Sequence, residues 1–304
     1  MLGRKVAKRL ESEPPESLVA PELVAFAREA DLFVLNLECC ISERGEPLPG
    51  RVFHFRAPPV AVETLAHLGV NCVTLANNHA LDFGPEALVD TLLHLQAGGI
   101  ASVGAGADHE AARAPVVLEI KGFRLAIVAV TDHPQEDAAG TDRAGVAFAD
   151  LGGGGLPRSL TQAIVGLDAD AVLVTPHWGP NLTAEPVEHV RAAAGALLEA
   201  GATLVAGHSA HVFQGVAPRV LYDLGDFLDD YRVDPELRND LGLLFLVDVS
   251  GDRLEAIPLK LEFTHTRLAS GEDAAWIEHR FVAACAELGV EVAVEDGRLV
   301  TTWR

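Results

Sequence analysis

The segment VNCVTLANNHALDFG, residues 70–84, decides the fold class. Its opening run is apolar or β-branched and continuous rather than alternating, which suits a short strand covered on both faces. The run then breaks at Asn77-Asn78-His79, a turn signal made of metal-ligand and acid–base side chains. The next stretch, PEALVDTLLHLQAGG (85–99), begins with Pro and ends with Gly, the punctuation of a helix. Strand, polar turn and helix in succession build α/β folds with mostly parallel sheets.

The same unit recurs along the chain. DLFVLNLE (31–38), FRLAIVAVT (123–131), AVLVTP (171–176) and TLVAG (203–207) read as buried strands. PPVAVETLAHLG (58–69) and EPVEHVRAAAGALLEAG (185–201) read as helices. The closing part differs. GLLFLVDVSGDRLEAIPLKLEF (242–263) reads as a β-hairpin turning at Ser250-Gly251-Asp252. A helix over 272–288 and a short hairpin around Glu295-Asp296-Gly297 are expected after it. The run Gly152–Gly155 lacks the Lys-Ser/Thr of a phosphate-binding loop and is expected to be a plain connection. No repeat or low-complexity linker divides the chain, so residues 1–304 are expected to form one domain.

Composition narrows the function classes. With 49% hydrophobic and 22% charged residues the chain can build a core. No run of about 18 apolar residues is present, which excludes a membrane-spanning helix. The first residues carry no apolar stretch of the secretory type. Lys plus Arg is 23 and Asp plus Glu is 44, a net charge of −21 that repels nucleic acid and anionic lipid. Cys39, Cys40, Cys72 and Cys285 form no Cys-x-x-Cys pair, so reduced thiols and a cytoplasmic setting are expected.

Four strands run straight into polar clusters. The first ends on Asn36 and Glu38; the second delivers Asn77, Asn78, His79 and Asp82; the third, His177 and Trp178; the fourth, His208 and His211. Ligands bind outside the carboxyl ends of strands in open α/β sheets. Each piece alone is weak: with 12 histidines in 304 residues, about half a His-x-x-His pair is expected by chance. Their coincidence at four strand ends points to a mixed N/O metal site suited to Mn, Fe or Zn. Asp82 has two readings of equal weight, orienting His79 or capping the helix that opens at Pro85. Trp178 is expected to wall the cleft. Asp226, in Gly225-Asp226-Phe227 after a further strand, reads as a turn residue beside the site.

In order, NLE, ANNHALDFG, HWG, GHSAHVFQG and LGDF resemble the CapA family of capsule and poly-γ-glutamate biosynthesis proteins, which is itself similar to calcineurin-like metallophosphoesterases. The resemblance implies a four-layer α/β/β/α sandwich with a dinuclear metal centre. It implies Glu38 as bridging carboxylate, Asn78, His177 and His208 around one metal, and His211 at the other. His79 would face the phosphate, with Asp82 behind it, and Arg4, Asn36 and Trp178 would line the substrate side. The family has Asn where Asp226 stands. It also begins its core with a strand ending in Gly-Asp, shortly before the segment that Met1-Leu2-Gly3-Arg4 matches. Two explanations compete: an apolar strand encoded in frame upstream of Met1, its Asp serving the first metal, which is the expectation favoured, or a one-metal, weakly active relative. The implied activity is phosphoester hydrolysis by metal-activated water, on a small or polymeric substrate. The alternative is assembly of an acidic polymer without phosphatase turnover.

Overall fold

The computed structural model describes residues 1–153 and 155–303, so the connection expected at Gly152–Gly155 lies partly outside the described residues. Three parallel strands, β1 (Val34–Asn36), β2 (Cys72–Thr74) and β3 (Ala101–Val103), pair in that order. A six-stranded sheet follows, built from β4 (Val116–Ile120), β5 (Phe123–Thr131), β6 (Ala171–His177), β7 (Leu204–Ala206), β8 (Val216–Ala217) and β9 (Val220–Leu221). Its order is β8-β9-β7-β6-β5-β4, parallel inside and antiparallel at both edges. The C-terminal strands β10 (Leu241–Asp248), β11 (Arg253–Glu262), β12 (His265–Leu268), β13 (Ala293–Glu295) and β14 (Arg298–Thr302) form an antiparallel sheet of order β10-β11-β14-β13, with β12 on β11.

Three clusters of buried side chains set the layers. Helices α1 (Arg4–Leu10), α2 (Pro21–Ala27), α3 (Ala61–Leu68) and α4 (Gly84–Ala97) bury Val6, Leu23, Leu65 and Leu88 against Val73 of β2 and against Leu244 and Ile257 of β10 and β11. Helices α5 (Arg158–Ile164) and α6 (Glu188–Glu199) bury Leu160 and Leu197 against Val128 of β5 and Val174 of β6. Between the sheets, Leu125, Ile127 and Leu173 meet Cys72, Leu243 and Leu254, and α7 (Gly271–Glu287) adds Phe281 to the same core. The first and third sheets each give one face to the first cluster and the other face to the cluster between sheets. They therefore share a layer, and the order is helix, sheet, sheet, helix: a four-layer α/β/β/α sandwich. Burial on both faces explains why β6 is buried at every residue.

The charged start of the chain is a helix, because Val6 and Leu10 fall one turn apart and both are buried. All four cysteines are free and buried. No described helix is long and apolar enough to cross a membrane.

One part of the core is not filled. β1 and β10 each lack a strand partner on one edge among the described residues, and both border a slot of about 270 Å³. Leu125, Leu173 and Leu204 floor it, and Leu35, Leu243 and Phe245 wall it.

Candidate metal and phosphoester site

The polar strand ends come together, but from two sheets rather than one. His208, just past β7, spans them: its Nε2 lies 3.1 Å from Thr175 Oγ1 of β6 and 3.4 Å from Thr74 Oγ1 of β2. Its Nδ1 lies 2.7 Å from Nδ1 of His177. Burial, helped by neighbouring imidazoles, pushes His208 down to about 3 and His177 well below the usual histidine value. Both rings are therefore neutral, the form that binds a metal.

Glu38 is fixed by its neighbour. Asn36 Nδ2 donates to Glu38 Oε2 at 3.0 Å, while Asn36 Oδ1 accepts from Asn77 Nδ2 at 2.9 Å and Thr74 Oγ1 at 3.2 Å. Glu38 Oε1 is left buried without a hydrogen-bond partner, 3.8 Å from His211 Nε2. On the far side of that ring, His211 Nδ1 lies 2.9 Å from Asp226 Oδ1. Burial opposes a charge on His211, but Asp226 and Glu38 outweigh it and raise the ring to about 10. A cation bound by Glu38 and His211 would displace that proton and keep Asp226 as the carboxylate behind a ligating ring.

The loop carrying His211 is strained and braced. Ser209 and His211 hold φ of 137° and 59°, conformations that cost about 1–3 kcal/mol each in non-glycine residues. Asp223 Oδ2 accepts from Ala210 N at 2.7 Å and Ser209 Oγ donates to Gly179 O at 3.1 Å, which holds the turn in place.

Asp82 resolves its two readings by contact. The N-cap of α4 is Phe83, with no side-chain cap bond. Asp82 is fully buried and accepts instead from His79 Nδ1 and Phe55 N, each at 2.7 Å, and from Arg51 Nη1 at 2.8 Å. That leaves Nε2 as the His79 nitrogen free to meet a ligand. Arg51 also forks onto Asp137 at 2.5 and 2.6 Å and donates to Asn78 O. Burial works against the Arg51 charge, but Asp137 and Asp82 hold it protonated. Burial also pushes Asp137 up, which Arg51 offsets only in part; Nη2 lies within hydrogen-bond distance of both Asp137 oxygens, which favours the charged pair.

Do these residues suit divalent cations? Two buried oxygens at the strand ends, Glu38 Oε1 and Asn78 Oδ1, have no donor, whereas the orphaned Asp226 Oδ2 pairs with Asp229, whose carboxyl burial and Asp226 push up so that the two can share a proton. Such orphans are rare and costly, and cations would satisfy them beside two neutral imidazoles. The donor chemistry fits. The spacing is not yet that of a closed site: no group of three or more His, Cys, Asp or Glu side chains among the described residues converges on one position for a metal.

The bacterial capsule synthesis protein family PGA_cap matches residues 1–231. The chain belongs to that family. A probable polyglutamine synthesis accessory protein of Mycobacterium tuberculosis is 31% identical over 295 residues, covering 89% of this chain and 76% of that protein. The PGA biosynthesis protein CapA of Bacillus subtilis is 27% identical over 239 residues, covering 76% of this chain and 61% of that protein. A phosphatase structure from Mycoplasma pneumoniae superposes with TM-score 0.43 at 15% identity, covering 78% of this chain and 80% of that one.

Two substrate-side assignments change in this PGA_cap chain. Trp178 is a buried packing residue rather than a cleft wall: it is 2% exposed, packs in the cluster under α6, and its Nε1 donates to Tyr222 O at 2.9 Å. Asn36 has its amide oxygen filled by Asn77 and Thr74 and one N–H on Glu38, so its observed role is to position Glu38, with one N–H unengaged. The Arg4 guanidinium lies 5.3 Å from the rings of Phe53 and Phe55 and 3.3 Å from Asp230, and Phe55 in turn packs against His79. Arg51 escaped the sequence reading, as did His133, whose ring lies 5.1 Å from that of His177.

Gly207 makes the Trp178 packing possible, since a Cβ there would collide with the indole and the Tyr222 carbonyl. Gly207→Ala should therefore destabilise by about 1–3 kcal/mol and disturb His208 next to it. A denaturant midpoint equal to that of the parent would remove this account.

Proposed function

We propose that this PGA_cap protein hydrolyses phosphoesters with the help of divalent cations, Mn, Fe or Zn. The observation carrying this reading is the set of orphaned oxygens, Glu38 Oε1 and Asn78 Oδ1, at the same strand ends as the neutral His177–His208 pair. Glu38, Asn78, His177 and His208 would hold one cation, and Glu38 with His211 a second, backed by Asp226. Bound there, such cations would supply Lewis-acid activation of water and a clamp on the phosphate oxygens. His79, fixed by Asp82, presents Nε2 to the leaving oxygen, where it donates a proton or steadies developing charge. Arg51 Nη1 donates to Asp82 Oδ1 and so helps hold that carboxylate in place as the partner of His79 Nδ1. A panel of aryl and nucleotide phosphoesters, assayed with each metal, tests the reading; no turnover on any member would end it.

Family membership favours a second reading, in which the same site serves assembly of an acidic capsule polymer without phosphatase turnover. Bound metal without hydrolysis in that panel is its expected signature.

The metal arrangement makes its own prediction. His208→Ala should lose more bound metal than His211→Ala, because His208 serves the site with the fuller ligand set. Elemental analysis showing equal losses would count against the assignment.

A further inference from the structure

Asp132 and His133 follow β5 directly and have no part in the reaction set out above. Asp132 N donates to His177 O at 3.1 Å. The Asp132 carboxylate accepts from His133 Nδ1 and, at 3.3 Å, from Gly179 N, with His189 Nε2 3.6 Å away. This repeats the arrangement behind His79, where Asp82 holds His79 Nδ1, Phe55 N and Arg51. In both, a carboxylate drawn out of solvent occupies Nδ1 and leaves Nε2 as the nitrogen for a ligand. The backbone is pinned too: His133 N donates to Thr131 Oγ1 at 3.3 Å, and that hydroxyl donates to His133 O at 2.5 Å.

The His133 ring is inclined 44° to that of His177, beside the imidazoles assigned to a cation. After burial and His208, the rings of His133, His211 and His79 all act to keep His177 neutral, so five imidazoles share one small volume. Their exposure differs. His177 and His208 are buried, whereas the His133 side chain is 36% exposed. His133 thus stands on the solvent side of the buried pair, where a substrate arrives. Its segment is also tied to His79, because Asp137 takes Arg51 Nη2 while Arg51 Nη1 holds Asp82. Stability alone gives little reason for the ring: Asp132 joins β5 to the end of β6 through Gly179 N without it, and a half-exposed pair contributes little.

We propose that His133, positioned by Asp132, is a substrate-binding residue whose Nε2 hydrogen-bonds a non-bridging oxygen of the bound phosphoryl group. The proposal rests on the phosphoester reading and deepens it. An imidazole that donates through both nitrogens bridges Asp132 and a phosphate oxygen. The leaving oxygen belongs to His79, so His133 governs binding of the phosphoryl group more than its transfer.

Four forms loaded with Mn are compared: the parent, His133→Ala, His133→Gln and His133→Asn. Calorimetry measures binding of inorganic phosphate, elemental analysis the metal, and a thermal melt the fold. His133→Ala should weaken phosphate binding about tenfold, with metal content and melting temperature close to those of the parent. Gln carries its amide nitrogen near the place of Nε2 and Asn near that of Nδ1. Gln should therefore recover most of the affinity and Asn little. On phenyl phosphate, His133→Ala should raise KM and change kcat less.

Unchanged phosphate affinity in His133→Ala overturns the proposal, as does Gln recovering no more than Asn, or a parent that binds no phosphate. Metal content falling in step with affinity makes His133 a cation ligand and overturns it too. The two readings fail separately. Phosphate binding that depends on His133, without turnover of any phosphoester, ends the hydrolase reading and keeps this one. Turnover with a phosphate affinity indifferent to His133 does the reverse.

Discussion

Arg51→Ala should lower the melting temperature by roughly 10 °C, the equivalent of about 3–5 kcal/mol for stranding buried charge. Among the described residues, Arg51 is the sole guanidinium on two carboxylates that are almost wholly inside, Asp82 and Asp137. Without it, Asp137 loses its cation, and burial already pushes its carboxyl up. Asp82 keeps His79 and Phe55 N as donors but loses its charge partner. Arg51→Lys should recover only part of the loss, since an ammonium cannot fork across two carboxylates. Arg44 provides the contrast. Its side chain is 58% exposed and its pair with Glu86 sits at the surface, and the largely buried Asp90 that it also grips keeps Ser42 Oγ as a donor when Arg44 is gone. Arg44→Ala should therefore cost less than Arg51→Ala, on the order of 1 kcal/mol. A thermal melt in which the Arg51 and Arg44 variants fall equally would show that the buried network does not carry this stability.

The contrast between these arginines also shows what the sequence could and could not say. Strand β5 fills residues 123–131 as expected, because a long apolar run covered on both faces has no competing pattern. The C-terminal hairpin was legible from Ser250-Gly251-Asp252, the turn between β10 and β11. His79, His177 and His208 were visible because each lies at the end of a strand-like run or within a few residues past it. Arg51 lies in a stretch with no periodicity, and its partners are 31 and 86 residues away. Nothing local marks such a residue. Trp178 misled for a related reason: a residue next to a ligand on a strand points to the opposite face, here the helix-covered one. The division of the four loaded strand ends between two sheets was also hidden, since each end looks the same whichever sheet holds it.

His79→Ala should reduce turnover about 10²–10³-fold while leaving bound metal and folding nearly unchanged. The structure separates these quantities. His79 hydrogen-bonds none of the orphaned oxygens; its partners are Asp82 through Nδ1 and Asn77 Oδ1 through its backbone amide, which alanine retains. Asp82 keeps Arg51 and Phe55 N when the imidazole is gone, so no buried charge is stranded. The ring does pack edge-on against Phe55 with centroids 4.7 Å apart, which sets the modest stability cost of truncation. His79→Gln tests position against chemistry: an amide can donate a hydrogen bond to a phosphate oxygen but cannot deliver a proton to the leaving group. If proton donation is the larger part, Gln should be nearly as slow as Ala on poor leaving groups and recover on aryl phosphates. Should metal content fall in step with activity in His79→Ala, His79 is itself a ligand and its pairing with Asp82 serves to orient it toward the cation.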